Sequence, residues 1–313
     1  MGPMKRRNFL TTSAIAASCL VVSAETRASD SDSEEVIDIH QHVNFRVRPN
    51  DVLLRHQEAM GVAKTILLPA GSPFNRESTL DGKGNGLQAD VLGTDAAAAF
   101  VQEYPDRYAF FCNEVPDADD AVKKIEGWLE RGAIGIGESK FHLEIDSPPM
   151  IRIYEVARAY EVPVLLHFQY RTFNLGFERF HKVLDMFPTV NFIGHAQTWW
   201  ANISAGQDQS DLYPKTKVTP GGITDQYLRD YPNMFGDLSA GSGLNAMTRD
   251  EEHASDFLDR HYKKLFYGSD CADHVGTGEA CSGSQQLAMI RKLVTDPLKR
   301  QAIMSGNAKQ VIF

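Results

Sequence analysis

Cysteine is scarce in this chain, with four in 313 residues. Cys112, Cys271 and Cys281 are the ones beyond the first 24 residues, which excludes a small scaffold held together by disulfides. Cys112 sits in an apolar run and reads as a buried thiol, while Cys271 and Cys281 are close enough in sequence to pair in an oxidising compartment. Positive charge is also in deficit. Lys and Arg total 32 against 41 Asp and Glu, a net charge of -9. The acidic balance, with no basic stripe, argues against extended nucleic acid or an anionic membrane surface as partner. A local basic pocket for a small anion is still compatible with it. No glycine-rich dinucleotide fingerprint follows the first apolar segment, which weighs against an open nucleotide-binding sheet. The one apolar run near the N-terminus is too short for a membrane span.

That run belongs to MGPMKRRNFLTTSAIAASCLVVSAETRASD, where Lys5, Arg6 and Arg7 precede it and VSA ends it before Glu25. This is the layout of an export signal, and RRNFL resembles the twin-arginine signal for folded cargo. The expected organisation is a signal peptide over 1–24, a flexible acidic linker over 25–35 and one catalytic domain over 36–313. Cleavage after Ala24 leaves a net charge of about -12. The mature protein is then periplasmic or secreted, with no transmembrane anchor. Cys19, with Ala16 where a lipoprotein signal wants Leu, offers a weaker alternative. Replacing both Arg6 and Arg7 with Lys is expected to block export and leave the mature fold intact. Unchanged delivery of the double variant in a fractionation assay rejects this route.

Eight strand-like segments recur along the body: 36–42, 62–70, 108–115, 132–140, 162–168, 190–196, 234–240 and 264–270. Helix-compatible stretches lie between them, such as DADDAVKKIEGWLERG, with acids near its start and Arg131–Gly132 at its end. Eight alternating β and α segments in one domain of this length predict a (β/α)8 TIM barrel, with an open doubly wound sheet as the alternative. The polar stretches 71–95 and 197–222 read as long loops.

In such a barrel the active site lies at the carboxyl ends of the strands. His40 and His42 fall at the end of the first, Glu138 and Lys140 of the fourth, His167 of the fifth, His195 of the sixth and Asp270 of the eighth. With strict alternation, Asp38, His40 and His42 share one face of the first strand. A histidine at a strand end can be an ordinary hydrogen-bonded residue. Several ionisable groups converging beside apolar runs are better explained by a shared metal ion, because burying each of them unpaired is costly. Histidine suits zinc and related ions. His56, His142, His181, His253, His261 and His274 lack this positional logic and call for no metal.

These residues carry a resemblance to the amidohydrolase superfamily of metal-dependent barrel enzymes, and most to its amidohydrolase-related group of hydrolases and decarboxylases. Asp38-Ile39-His40-Gln41-His42 matches its first signature. His167, His195 and Asp270 in GSD match its strand-5, strand-6 and strand-8 residues, and the closing GNAKQVIF is similar to its terminal asparagine-containing helix. The resemblance implies His40, His42, Glu138, His167, His195 and Asp270 as metal ligands. Lys140 is an alternative ligand, because some members use a carboxylated lysine on strand 4. It also implies one or two divalent ions, zinc first, with manganese or another ion open.

The implied chemistry is hydrolysis of a small-molecule ester, amide, lactone or related bond by metal-activated water. Asp270 would exchange the proton, and His195 would stabilise charge or bind metal. Asp38 is expected to support the site from behind. The rival activity is non-oxidative decarboxylation of an aromatic or unsaturated acid, and a third reading is a non-catalytic metal-containing binding protein. Arg171, Trp199 and Trp200 are candidates for holding the substrate. A homo-oligomer is compatible with the sequence.

Overall fold

The computed structural model describes residues 34–72, 87 and 90–313. The expected signal peptide, most of the expected acidic linker and most of the 71–95 loop lie outside the described residues. Residues 34–313 make one compact unit. Glu34 and Glu35, assigned above to a flexible linker, are tied down instead. Glu34 pairs with Arg291 and Arg300, and Glu35 with Lys309.

The strands are β1 (Ile37–Gln41), β2 (Lys64–Leu67), β3 (Tyr108–Phe110), β4 (Ile136–Ser139), β5 (Val164–His167), β6 (Phe192–His195), β7 (Met234–Asp237) and β8 (Leu265–Phe266). Each lies within one of the eight segments read from sequence. Neighbours pair in parallel, β1 to β3 in order and β4 to β8 in order. A bridge between Cys112 and Ile136 joins the two runs. At the other seam Ile39 N–H donates to Tyr267 O at 3.2 Å and Asp270 N–H to His40 O at 2.8 Å. The result is a (β/α)8 barrel.

The helices are α1 (Asn50–Ala59), α2 (Thr94–Glu103), α3 (Ala121–Leu129), α4 (Pro148–Ala159), α5 (His181–Met186), α6 (Ala196–Ala201), α7 (Ile223–Asp230), α8 (Ala240–Thr248), α9 (Glu251–His261), α10 (Ser282–Leu293), α11 (Pro297–Gln301) and α12 (Asn307–Val311). α3 buries Ala121, Ile125 and Leu129, four apart on one face, as an amphipathic helix does against a sheet. Two prolines occupy the first turn of α4, where an N–H has no helical partner to lose. In α12 Asn307 donates to Tyr262 O and Leu265 O, which fastens the C-terminal helix under the barrel.

Two cores follow from strand parity. Ile39, Ile66, Phe111, Leu165, Ile193, Phe235 and Phe266 fill the barrel interior beneath the site, closed by Ala308 and Ile312. Leu67, Phe110, Val164, Leu166, Phe192 and Leu265 face the helices.

The 197–222 segment is not simply a polar loop, because α6 begins it. Trp199 and Trp200 are 0 % and 1 % exposed and pack among Phe168, Phe177 and Phe257. Trp199 lies on Gly194 of β6, where an added Cβ would stand 2.5 Å from the indole. These tryptophans therefore cannot hold substrate, which corrects the sequence reading: the cost of exposing two indoles places them in the core. Trp199→Ala is expected to lower stability by about 3–5 kcal/mol. Denaturant unfolding checks this, and a loss within about 1 kcal/mol contradicts it.

Candidate metal centre

A one-residue bulge in β1, between Asp38 and Gln41, controls how the site is built. Ahead of it Ile37 and Ile39 point into the barrel, so Asp38 points outward. Asp38 accepts from Gln57 of α1 at 3.1 Å and from the Ser269 N–H at 2.9 Å and hydroxyl at 2.5 Å. Asp38 thus does not share a face with His40 and His42. The bulge breaks the strict alternation. Burial raises the Asp38 carboxyl, while the bonds from Ser269 and the His40 N–H oppose that rise. Its role in the architecture is to tie the ends of β1 and β8 together.

Beyond the bulge His40 and His42 turn inward. His40 Nδ1 bonds Asp237 Oδ2 at 2.6 Å, and His42 Nδ1 donates to Leu68 O at 2.6 Å. His195 Nδ1 lies 3.0 Å from Ser239 Oγ, which donates to Asp237 Oδ2 at 2.7 Å. One nitrogen of each ring is thereby held from behind, and the Nε2 atoms face a common point. His40 Nε2 is 3.4 Å from Glu138 Oε2 and 3.7 Å from Asp270 Oδ1. His42 Nε2 is 3.2 Å from Asp270 Oδ1, and His195 Nε2 is 3.6 Å from Asp270 Oδ2. His167 enters through Nδ1, 2.5 Å from Glu138 Oε1, with Nε2 3.2 Å from Gln169 Oε1.

Backbone elements carry these side chains with little slack. Asn113 Nδ2 donates to Glu138 O, and Asn174 Nδ2 donates to Ser139 O and His167 O. At three strand ends the chain takes a left-handed turn without glycine: Ala196 (φ 79°), Ala240 (φ 62°) and Asp270 (φ 40°). Such conformations cost about 1–3 kcal/mol each and persist where the surroundings enforce them. Gly268 leaves no room for a Cβ, which would strike Asp237 Oδ1 and lie 3.1 Å from His40 Cβ.

The donor set fits a divalent ion. His40 Nε2 is fully buried with no hydrogen-bond partner. Donor atoms of His40, His42 and Asp270 converge, as do those of His40, Glu138 and His195. Nitrogen and carboxylate oxygen are the ligand types of zinc and its neighbours, and imidazoles pinned through their second nitrogen are the usual arrangement. The electrostatics call for a cation as well. Burial pushes the His40 imidazole down, yet the charges of Asp270 and Asp237 overcome this and hold it well above its ordinary value. Burial raises Glu138 and Asp270, and the opposing imidazoles, with Lys140 acting on Glu138, pull both well below the usual range. His167 goes the other way, pushed to about 4 by burial and the Lys140 charge against the pull of Glu138.

The centre opens into a cavity of about 590 Å³ lined in part by Phe45, Arg46, Lys140, Tyr213, Asp270 and His274. Glu138 belongs to a converging donor group, and both Glu138 and Lys140 border the cavity. Arg171 is exposed, stacks on Tyr170 at 5.1 Å and lines a different cavity beside Glu144 and Arg179. It does not reach the centre, because the β5 loop carries it away from the barrel mouth. Asp237 and Ser239 were not singled out from sequence. The signal was present in GDLSA, a carboxylate ending strand 7 as Asp270 ends strand 8.

A parallel barrel with a buried imidazole–carboxylate cluster at its C-terminal face defines the metal-dependent hydrolase and decarboxylase class. Residues 37–313 match the amidohydrolase family profile, and the chain belongs to that family. It carries the features of an active enzyme of the amidohydrolase superfamily. No curated protein matches it. Among solved structures it is similar to a probable 2-pyrone-4,6-dicarboxylic acid hydrolase from Acinetobacter baumannii with citric acid bound, at 13 % identity, TM-score 0.56, covering 89 % of this chain and 99 % of that one. It is also similar to a 5-carboxyvanillate decarboxylase from Sphingomonas paucimobilis, at 14 % identity, TM-score 0.53, covering 90 % and 99 %. A 2,6-dihydroxybenzoate decarboxylase from Rhizobium aligns at 13 % identity, TM-score 0.54, covering 89 % and 98 %. At these identities the likeness establishes the fold. No helix of the described residues is long and apolar enough to cross a membrane.

Proposed function

We propose that the chain is a metal-dependent, non-oxidative decarboxylase of a small aromatic or unsaturated carboxylic acid. The observation that carries this reading is the lining of one cavity: Arg46 and Lys140 supply positive charge, Phe45 and Tyr213 supply rings, and the carboxylate–imidazole centre forms the floor. A flat anion satisfies all three. The structural relatives named above are each named for a carboxylic acid, and two are decarboxylases. Hydrolysis of a small-molecule bond is the second reading, supported by the hydrolase among them.

His40, His42, Glu138, His167, His195 and Asp270 would hold one or two ions, with zinc assigned first and manganese the alternative. When bound, the ion supplies Lewis-acid polarisation of substrate oxygens. Lys140 and Arg46 would neutralise the entering carboxylate. Phe45 and Tyr213 would flank its plane. His42, Glu138, His167, His195 and Asp270 all border the cavity, and Asp270 is the most exposed of them at 16 %. It would take the proton of a hydroxyl adjacent to the carboxylate and deliver it to the carbon that bears the carboxylate. The carbon–carboxylate bond then breaks, its electron pair stays with the carbon skeleton, and carbon dioxide leaves. In the hydrolytic reading the same carboxylate takes a proton from water and passes it to the leaving group. His195, held by Ser239, would keep Asp270 oriented.

A panel of hydroxylated aromatic and unsaturated acids, together with their esters, amides and lactones, followed for carbon dioxide and for newly released acid, tests the reading. Carbon dioxide without new acid is the expected result. Acid release without carbon dioxide replaces decarboxylation by hydrolysis, and no turnover of either kind by metal-loaded protein favours a binding role. Elemental analysis of the purified protein identifies the ion and its number. Lys140→Met is expected to lower kcat/KM about 10- to 100-fold, mainly through KM, the scale of a lost charge-assisted bond. An unchanged KM removes Lys140 from the substrate site. Export of the mature chain to the periplasm or beyond is part of the proposal and is tested by the double arginine variant.

A further inference from the structure

A second group of metal-ligand side chains lies outside the centre described above. His56, Cys271, Asp273 and Cys281 bring one donor atom each within 4.8 Å of one another. The two sulfurs are 3.5 Å apart, Cys281 Sγ is 3.6 Å from His56 Nε2, and His56 Nε2 is 3.8 Å from Asp273 Oδ2. These separations are close to the edges of a tetrahedron whose vertices lie about 2.0–2.3 Å from a central ion, the bond lengths of zinc to nitrogen, oxygen and sulfur. His56 and Cys281 are 0 % exposed and Cys271 is 3 % exposed.

We infer that His56, Cys271, Asp273 and Cys281 form a structural site for a zinc-type ion, with a pair of thiolates, an imidazole and a carboxylate as ligands, separate from the catalytic centre. A disulfide between the cysteines would account for two of the four groups and give no role to His56 Nε2, 3.6 Å from Cys281 Sγ. A metal accounts for all four. Thiolate sulfur with imidazole is a donor set that selects zinc over magnesium or calcium. Bound as thiolates, the cysteines and the carboxylate would carry three negative charges, which a divalent ion and the buried Arg48 guanidinium would balance. Arg48 donates to Cys271 O at 2.7 Å and to Asp273 O at 2.9 Å, holding the loop around the cluster. The Asp273 carboxylate is oriented by the N–H groups of Val275 and Gly276.

The ligands join α1 to the chain that runs from Asp270 into α10. Filling the site would therefore staple the segment after Asp270, which lines the catalytic cavity at Cys271, Asp273 and Ala280. Four protein ligands complete the tetrahedral shell of a zinc-type ion and leave no open position for a substrate, as in structural zinc sites.

The catalytic centre contains no sulfur, so cobalt(II) tells the two sites apart. The full chain, reduced with a non-coordinating phosphine and loaded with cobalt, is expected to show a sulfur-to-cobalt charge-transfer band for one ion per chain. Added zinc should bleach it. The band should persist in His195→Ala and vanish in the Cys271→Ser/Cys281→Ser double variant. Should the double variant fail to fold, the wild-type spectrum and its bleaching by zinc still decide. Folded wild-type protein that binds cobalt with no such band overturns the proposal. So does an intact mass two hydrogens short of the reduced chain in the protein as purified, because the pair is then a disulfide.

Discussion

Asp270→Asn is expected to reduce turnover by about 10²–10⁴-fold at saturating metal, the scale of a lost general acid–base group. The substitution keeps the shape of the side chain and removes its charge and most of its basicity. Asp270 follows β8 in a left-handed conformation, with its N–H fastened to His40 O, so the amide should occupy the same place. Its Oδ1 faces His42 Nε2 and its Oδ2 faces His195 Nε2, and the side chain also borders the cavity. Metal content must be measured beside the rate. Near-normal turnover at full occupancy defeats the proton-transfer assignment. Loss of metal together with loss of rate supports a ligand role and leaves the proton step to a pH profile of the residual activity.

Asp237→Asn is expected to weaken metal affinity or activity by about 10- to 100-fold, although the residue faces away from the substrate cavity. Its Oδ2 lies 2.6 Å from His40 Nδ1 and 3.2 Å from His195 Nδ1, so one carboxylate sets the tautomer of both rings. Burial raises this carboxyl, but the His40 and His195 imidazoles reverse the shift and hold it well below the usual range. An amide there can present an N–H to one ring, which then turns its proton toward the metal and loses its lone pair. Titration with zinc in competition with a chelating dye reads the affinity. An unchanged affinity and rate would show that Ser239 alone suffices to orient the rings.

The alternation of apolar strands and amphipathic helices determined the barrel, because side-chain period and element length are local properties. The same local logic placed His40, His42, Glu138, His167, His195 and Asp270 at strand ends, where a barrel gathers such residues on one face. Tertiary structure decided the rest. The bulge in β1 sent Asp38 outward and the histidines inward, and no spacing in VIDIHQHVNF reveals a bulge. Trp199 and Trp200 look like rim residues in a polar stretch, yet the turn at Ala196 swings both indoles into the core. Arg171 leaves the site because the β5 loop carries it toward a different cavity, and Lys140 stays on the cavity wall while Glu138 joins the donor cluster. Asp237 gained its role only when β7 was seen beside β6 and its carboxylate behind two imidazoles. His56 meets Cys271 and Cys281 across more than two hundred positions of sequence, a meeting set by closure of the barrel between β8 and β1 rather than by any local pattern.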